Sequence, residues 1–314
     1  MNGFRVQAPG VLSLFQDGGR FGQHALGLTT GGPMDGGAFY WANRLVENPE
    51  GTTAMEVAQG GILLECTGDT TVAVTGADVA LRINGRVRAL WCSHRLGRGD
   101  SIELGHAESG MWAYLAVAGG FGAKAFFGST SVVLREGFGE AIQTGQQLTC
   151  GESAETEWAM PRESIPRLVP DPVLRVIEGG QKAEFSAAAR DVFFGSEFAV
   201  SQQSNRMGCR LNGPAIASPS GERLSEGTTY GTIQVPLNGQ PIVLLNDRQT
   251  IGGYPKLGAV LSLDCWKLAQ CRPGATVSFK SITVEESQDL VRTERAAREN
   301  MTLRRGGEGG VQQG

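Results

Sequence analysis

Apolar residues in this chain come in short alternating or continuous runs of four to eight positions, broken by glycine, proline, asparagine and aspartate; that pattern predicts strands joined by frequent turns. Phe4 to Phe15 alternates well enough for two strands broken at Pro9-Gly10. From Ala54 to Leu104 strand follows strand, with turn signals at Asn84-Gly85 and Gly99-Asp100, and Met111 to Gly122 reads as a buried strand ending in a glycine turn. Helical spacing is confined to a few places. Ala38 to Val46 has it, with Asp35 as its cap and Asn48-Pro49 as its end; Ala183 to Ala189 is a short helix candidate, and Glu285 to Met301 is a charged helix with few apolar anchors. The expected class is mostly β.

At 314 residues the chain exceeds the usual single-domain size, so two domains are expected, each able to bury its own core. Glu152 to Pro172, charged and proline-rich, marks the junction. The expected division is 1–165, 166–284, a C-terminal helix over 285–303, and a disordered Gly/Gln-rich tail over 304–314. A weak likeness between Leu96–Gly105 and Cys271–Lys280, each a glycine turn feeding an alternating strand, is compatible with two related halves or with a common turn idiom.

Composition narrows the function. A net charge of -4 spread over interspersed signs lacks the basic stripe that nucleic-acid binding needs. No stretch approaches the roughly 20 apolar residues of a membrane-spanning helix, and the first ten residues lack a secretory signal core. Six single cysteines without a Cys-x-x-Cys pair read as reduced thiols in a cytoplasmic protein. His24, His94 and His106 fit no zinc spacing, so no metal is expected.

The chemistry concentrates in three glycine-rich polar loops. In the first, the run Pro241 to Leu245 reads as a buried strand that empties into Asn246-Asp247-Arg248-Gln249-Thr250 and then Gly252-Gly253-Tyr254-Pro255-Lys256. Adjacent glycines let backbone amides approach a ligand, while the side chains supply a carboxylate, a guanidinium, a carboxamide, a phenol and an ammonium. A polar hairpin connector fits the same pattern. A second loop, Ser201 to Gly213, carries Ser204, Asn205, Arg206 and Arg210, a set suited either to gripping a carboxylate or ureido carbonyl or to a capped surface turn. The third, Gln16 to Gly22, places Asp17 and Arg20 close enough to pair with each other or to reach outward toward an anion.

These loops carry a family resemblance. Val6-x-x-Pro9-Gly10, Gln16-Asp17-x-Gly19-Arg20-x-Gly22, Gly32-Pro33-Met34-Asp35, Tyr114 to Gly120, Ser204 to Gly208, Ser225-Glu226-Gly227, Ile233 to Pro236 and Asp247-x-Gln249-Thr250-x-Gly252-Gly253-Tyr254-Pro255 are similar to the motifs of the KipA family. That family is also known as the C subunit of 5-oxoprolinase or as allophanate hydrolase subunit 2, and it corresponds to the C-terminal half of the urea carboxylase carboxyltransferase domain. The resemblance covers about residues 4 to 284; Cys209 and Ile251 depart mildly from the pattern.

The resemblance implies two cyclophilin-like β-barrel units and ATP-dependent opening of 5-oxoproline to glutamate, performed with a KipI-like and a LamB-like partner protein. Two other roles come with it: a carboxyltransferase or allophanate-hydrolase-type subunit of urea or guanidine metabolism, in which biotin takes part, and a non-enzymatic antagonist of a KipI-type histidine kinase inhibitor. ATP would be used by the complex, since the chain has neither a Gly-x-x-x-x-Gly-Lys-Ser/Thr loop nor a biotin-carrier Ala-Met-Lys-Met sequence. For catalysis the clustering points to Asp247 as general base or as orienter of Arg248, with Tyr254 or Lys256 as acid or anion clamp. Arg206, Asn205, Gln249 and the Gly252-Gly253 amides are the expected carbonyl-polarising donors, with Arg248 and Arg20 as further substrate contacts.

Overall fold

The computed structural model describes residues 2–151, 156–219 and 224–306. The class is mostly β, as the pattern of short runs predicts. The chain divides into two units: 1–20 with 31–168 and 302–314, and 21–30 with 169–301.

The first unit is built on a nine-stranded sheet in which the long strands Thr70–Ile83 and Ser101–Val117 pair antiparallel. Gly3–Pro9 and Leu12–Gln16 are the expected pair, broken where Gly10 takes a positive φ that lets the chain reverse. Asn84 and Gly85 both have positive φ and make the tight turn into Arg86–Val87. The core is mainly aliphatic, with Phe4, Leu14, Met55, Ile62, Leu64 and Leu115 all buried. The helix Gly36–Leu45 starts at Asp35, whose carboxylate accepts from the Ala38 amide.

The second unit is a closed seven-stranded barrel. Its order is Val173–Glu178, Lys256–Val260, Thr232–Gln234, Ile242–Leu244, Gly208–Asn212, Phe198–Val200 and Thr276–Ile282, which returns to the first strand in parallel. Leu174, Val176, Ile233, Val243, Leu257 and Phe279 are among its buried apolar side chains. The helix Ser262–Gln270 is pinned by Asp264, which accepts from Arg175 Nε and Nη2 at 2.7 Å each, from the Arg175 amide at 2.8 Å and from Lys267 at 2.7 Å. Burial alone would raise the Asp264 pKa, but these bonds outweigh it and hold the carboxyl below its usual range.

Several expectations from the sequence shift. Residues 21–30, expected in the first domain, fold with the second unit, where Thr29 Oγ1 donates to the Asn246 carbonyl. The helix expected at Ala183 becomes a 3-10 turn over Gly180–Glu184, and the α-helix begins only at Ala187 because Ser186 supplies the cap to the Ala189 amide. The C-terminal helix runs over Val284–Asn300, opened by a Thr283/Glu286 capping box. It belongs to the second unit, with Arg298 over the Trp266 ring at 5.6 Å.

The expected disordered tail begins with a strand instead, Arg304–Arg305 pairing with Trp158–Ala159. That segment of the proline-rich junction is itself tied down: the Trp158 amide donates to Ser93 Oγ and its indole N–H to Glu47. Tail residues 307–314 and junction residues 152–155 lie outside the described residues.

Candidate functional site

Barrel closure sets the base of the polar loop. Ile242–Leu244 pairs with Gly208–Asn212, so the chain leaving the strand at Leu245 runs beside the turn at residues 205–208. The Leu245 amide donates to the Met207 carbonyl at 2.9 Å and the Asp247 amide to the Arg206 carbonyl at 2.9 Å. Two loops distant in sequence are thereby zipped together, as a shared pocket requires.

The side chains complete the join. Arg206 Nε and Nη2 donate to Asp247 Oδ2 and Oδ1 at 2.8 and 2.9 Å, and both residues are more than nine-tenths buried. A bidentate guanidinium–carboxylate pair is rigid and directional. With both oxygens of Asp247 engaged by Arg206, the carboxylate is a poor free base, and the arginine it orients is Arg206 rather than Arg248. Likewise Arg206 commits two of its donors to the frame and not to a substrate carbonyl.

Asn205 is exposed and makes an Asx turn, its Oδ1 accepting from the Met207 amide at 2.8 Å. Gln249 donates from Nε2 to Gln234 Oε1 at 3.4 Å, and its own carbonyl accepts from Thr228 Oγ1. Gly252 lies in a two-stranded ribbon, Glu226–Gly227 with Ile251–Gly252. Gly253 is exposed. Tyr254 stands half in solvent, while the Pro255 carbonyl beside it accepts from the Val235 amide.

Lys256 closes the ribbon. Its ammonium donates to Glu226 Oε2 at 3.3 Å and to the Gly252 carbonyl at 3.2 Å, and Gln181 bridges by accepting from the Lys256 amide and donating to the same carboxylate oxygen. Lys256 therefore clamps a protein carboxylate here.

Arg248 differs from the other cations of the loop. It is 6% exposed, its Nη1 donates to the Leu245 carbonyl at 3.3 Å, and its guanidinium lies 6.0 Å from the Tyr230 ring centroid. Its Nε meets no acceptor, and no carboxylate pairs with it among the described residues. Burial pushes its pKa below the ordinary arginine value.

Arg20 belongs to the first unit, not to the barrel. It is fully buried; Nε donates to the Phe126 carbonyl at 2.8 Å, Nη2 to the Ser131 carbonyl at 3.1 Å, and its guanidinium stacks on Phe138 at 4.6 Å. These bonds shape the 126–131 loop. Asp17 does not pair with Arg20. Instead it accepts from the hydroxyls of Ser129 and Ser131 and from the amides of Thr130 and Gly19. Burial would raise its pKa; those four donors hold it below the usual carboxylate range.

Gln234, Glu226 and Gln181 join the site without having been expected there from the sequence. Gln234 had a signal, a carboxamide in the otherwise apolar-flanked strand Thr232–Gln234; it is 1% exposed and its Nε2 meets no acceptor. Glu226 and Gln181 are ordinary surface types that only the ribbon brings to Lys256. Among the described residues, no group of three or more His, Cys, Asp or Glu side chains is placed to hold a metal ion, and no helix is long and apolar enough to cross a membrane.

A closed barrel whose polar loop is framed by a buried Arg–Asp pair and shut by a lysine-clamped ribbon defines a β-barrel protein of the carboxyltransferase type. The model of the carboxyltransferase domain, subdomain A and B, matches residues 26–281, and the chain belongs to that family. It is 35% identical over 290 residues to the C subunit of 5-oxoprolinase from Escherichia coli, covering 90% of this chain and 92% of that protein. The crystal structure of TTHA0988 superposes with a TM-score of 0.83 at 34% identity, over 90% of this chain but only 56% of that one. The Kluyveromyces lactis urea carboxylase superposes with a TM-score of 0.88 at 26% identity, over 96% of this chain and 29% of that one. The chain thus spans little more than half of the first of these solved proteins and under a third of the second.

Proposed function

We propose that this chain is the C subunit of a 5-oxoprolinase, a cytoplasmic assembly that opens the lactam of 5-oxoproline to glutamate with hydrolysis of ATP, KipI-like and LamB-like proteins being the other subunits. The observation that carries the reading is the near full-length match, in both directions, to a protein named as the C subunit of 5-oxoprolinase.

Opening a lactam requires a polarised carbonyl and a stabilised oxyanion, and fixed donors aimed at that oxygen contribute several kcal/mol. In this chain the Arg206–Asp247 pair holds the loop, the ribbon holds Gly252, and Arg248, Gln249 and Tyr254 are the side chains left for substrate. ATP supplies the driving force for a lactam that is otherwise slow to hydrolyse. The chain has no P-loop sequence, and no residue of it is assigned to the nucleotide.

The test is ATP-dependent glutamate release from 5-oxoproline by the three proteins purified together and with each omitted. Release that needs all three supports the reading; a stable complex that releases none refutes it. A second reading, a carboxyltransferase component of urea metabolism with biotin as carrier, is favoured by the superposition on urea carboxylase. It predicts carboxyl transfer dependent on a separate biotinylated protein.

A further inference from the structure

The barrel loop holds a buried cation without a buried anion. Arg248 donates to a neutral carbonyl, has an aromatic ring at 6.0 Å, and carries an Nε that meets no acceptor. Two other arginines of the second unit are handled differently, Arg206 by Asp247 and Arg175 by Asp264, each bidentate. Taking a cation out of water costs several kcal/mol unless an opposite charge offsets it. A second donor, Gln234 Nε2, is also buried and unmatched, and its carboxamide is joined through Oε1 to Gln249, the next residue after Arg248.

We propose that Arg248 is the carboxylate-reading residue of this site: the guanidinium pairs with a small planar anion, the carboxylate of a lactam acid, with the Gln234–Gln249 carboxamides beside it taking a neutral polar group of the same molecule. The substrate class that follows is a small cyclic amide bearing a free carboxylate. This deepens the lactam-opening reading and rests on it for the identity of the acid. Arg248 is thereby a binding residue, and Arg206, whose charge is already matched by Asp247, is a positioning one.

Calorimetry on the full chain, alone and with its co-purified subunits, separates this from a structural role without needing turnover. The probes are 5-oxoproline, its neutral carboxamide and inorganic phosphate; the variants are Arg248→Met and Arg248→Lys, with thermal melts of each. The expected result is that the wild type binds the acid at least about tenfold more tightly than the carboxamide, a preference lost in Arg248→Met and partly kept in Arg248→Lys. The thermal midpoint of Arg248→Met stays level or rises, because an unmatched buried charge has been removed.

A lower midpoint with acid binding intact makes Arg248 a structural residue and overturns the proposal. Phosphate binding that depends on Arg248, without discrimination between acid and carboxamide, assigns the anion to an inorganic source and overturns it as well. Arg248-dependent preference for the acid in a preparation that releases no glutamate sinks the lactam reading alone and leaves the carboxylate site standing.

Discussion

Arg206 and Asp247 are joined three times: by two side-chain hydrogen bonds of 2.8 and 2.9 Å and by the Asp247 amide donating to the Arg206 carbonyl at 2.9 Å. The pair fastens the loop after one barrel strand to the turn before another. Breaking it from one side strands a buried charge. Asp247→Asn should therefore cost about 3 to 5 kcal/mol of stability, measured by denaturant unfolding. The double replacement Arg206→Met with Asp247→Leu should recover most of that loss, while leaving the loop less well fixed and turnover impaired. A single variant as stable as wild type refutes the framing role.

Acid lability follows from Asp17 and Asp264, whose carboxyls are both held below their ordinary range. For a depressed carboxyl the stabilisation is fully present above the unfolded pKa of about 3.9 and is lost as pH falls through the lower folded value. These two groups should thus leave stability level from neutral pH down to about pH 5 and let it drop below about pH 4. Asp264→Asn should be destabilised at neutral pH and show a flatter decline in acid, as followed by melts from about pH 7 to about pH 3.

Gly258 lies in the strand Lys256–Val260, where a Cβ would run into the Ile177 carbonyl of the neighbouring strand. Its φ is ordinary, so the constraint is close approach and not backbone conformation. Gly258→Ala should destabilise the barrel by about 1 to 3 kcal/mol, read as a lower thermal midpoint. An unchanged midpoint would mean the strand pair yields at no cost.

Thiol chemistry should be slow. Burial pushes the Cys92 thiol up to about 11 and those of Cys209 and Cys271 up to about 12, and raises Cys66, Cys150 and Cys265 as well. Since the thiolate is the nucleophile, iodoacetamide near neutral pH should label the native chain far more slowly than the denatured one. Rapid native labelling of any one cysteine, mapped by mass spectrometry, contradicts this.

Much of the architecture was legible because strands and caps are local. Pro9-Gly10, Asn84-Gly85 and Asp35 each act within a few residues, and each is where the sequence puts it. The polar loop at Asn246–Thr250 was also visible, since five polar residues directly after an apolar run end a buried strand. Pairings were not visible. Asp17 with Arg20 looked the natural pair at three residues' separation, yet the partners of Asp17 include residues 112 to 114 positions on, at Ser129 to Ser131. The same blindness hid Lys256 with Glu226, Arg206 with Asp247, and the return of residues 21–30 to the second unit. Which charge meets which is decided by sheet register, and register between distant strands leaves no mark in composition.

Parallel pairing between Val173–Glu178 and Thr276–Ile282 gives the barrel a consequence for synthesis. Its first and last strands are neighbours, so the ring stays open, with two strand edges exposed, until the last strand has been made. Such long-range closure folds slowly and leaves sticky edges in the meantime. It also brings the two ends of the ring side by side, so the break between them could be moved elsewhere in the ring, by joining these ends and cutting an exposed turn such as Leu237-Asn238, without altering the order of the strands.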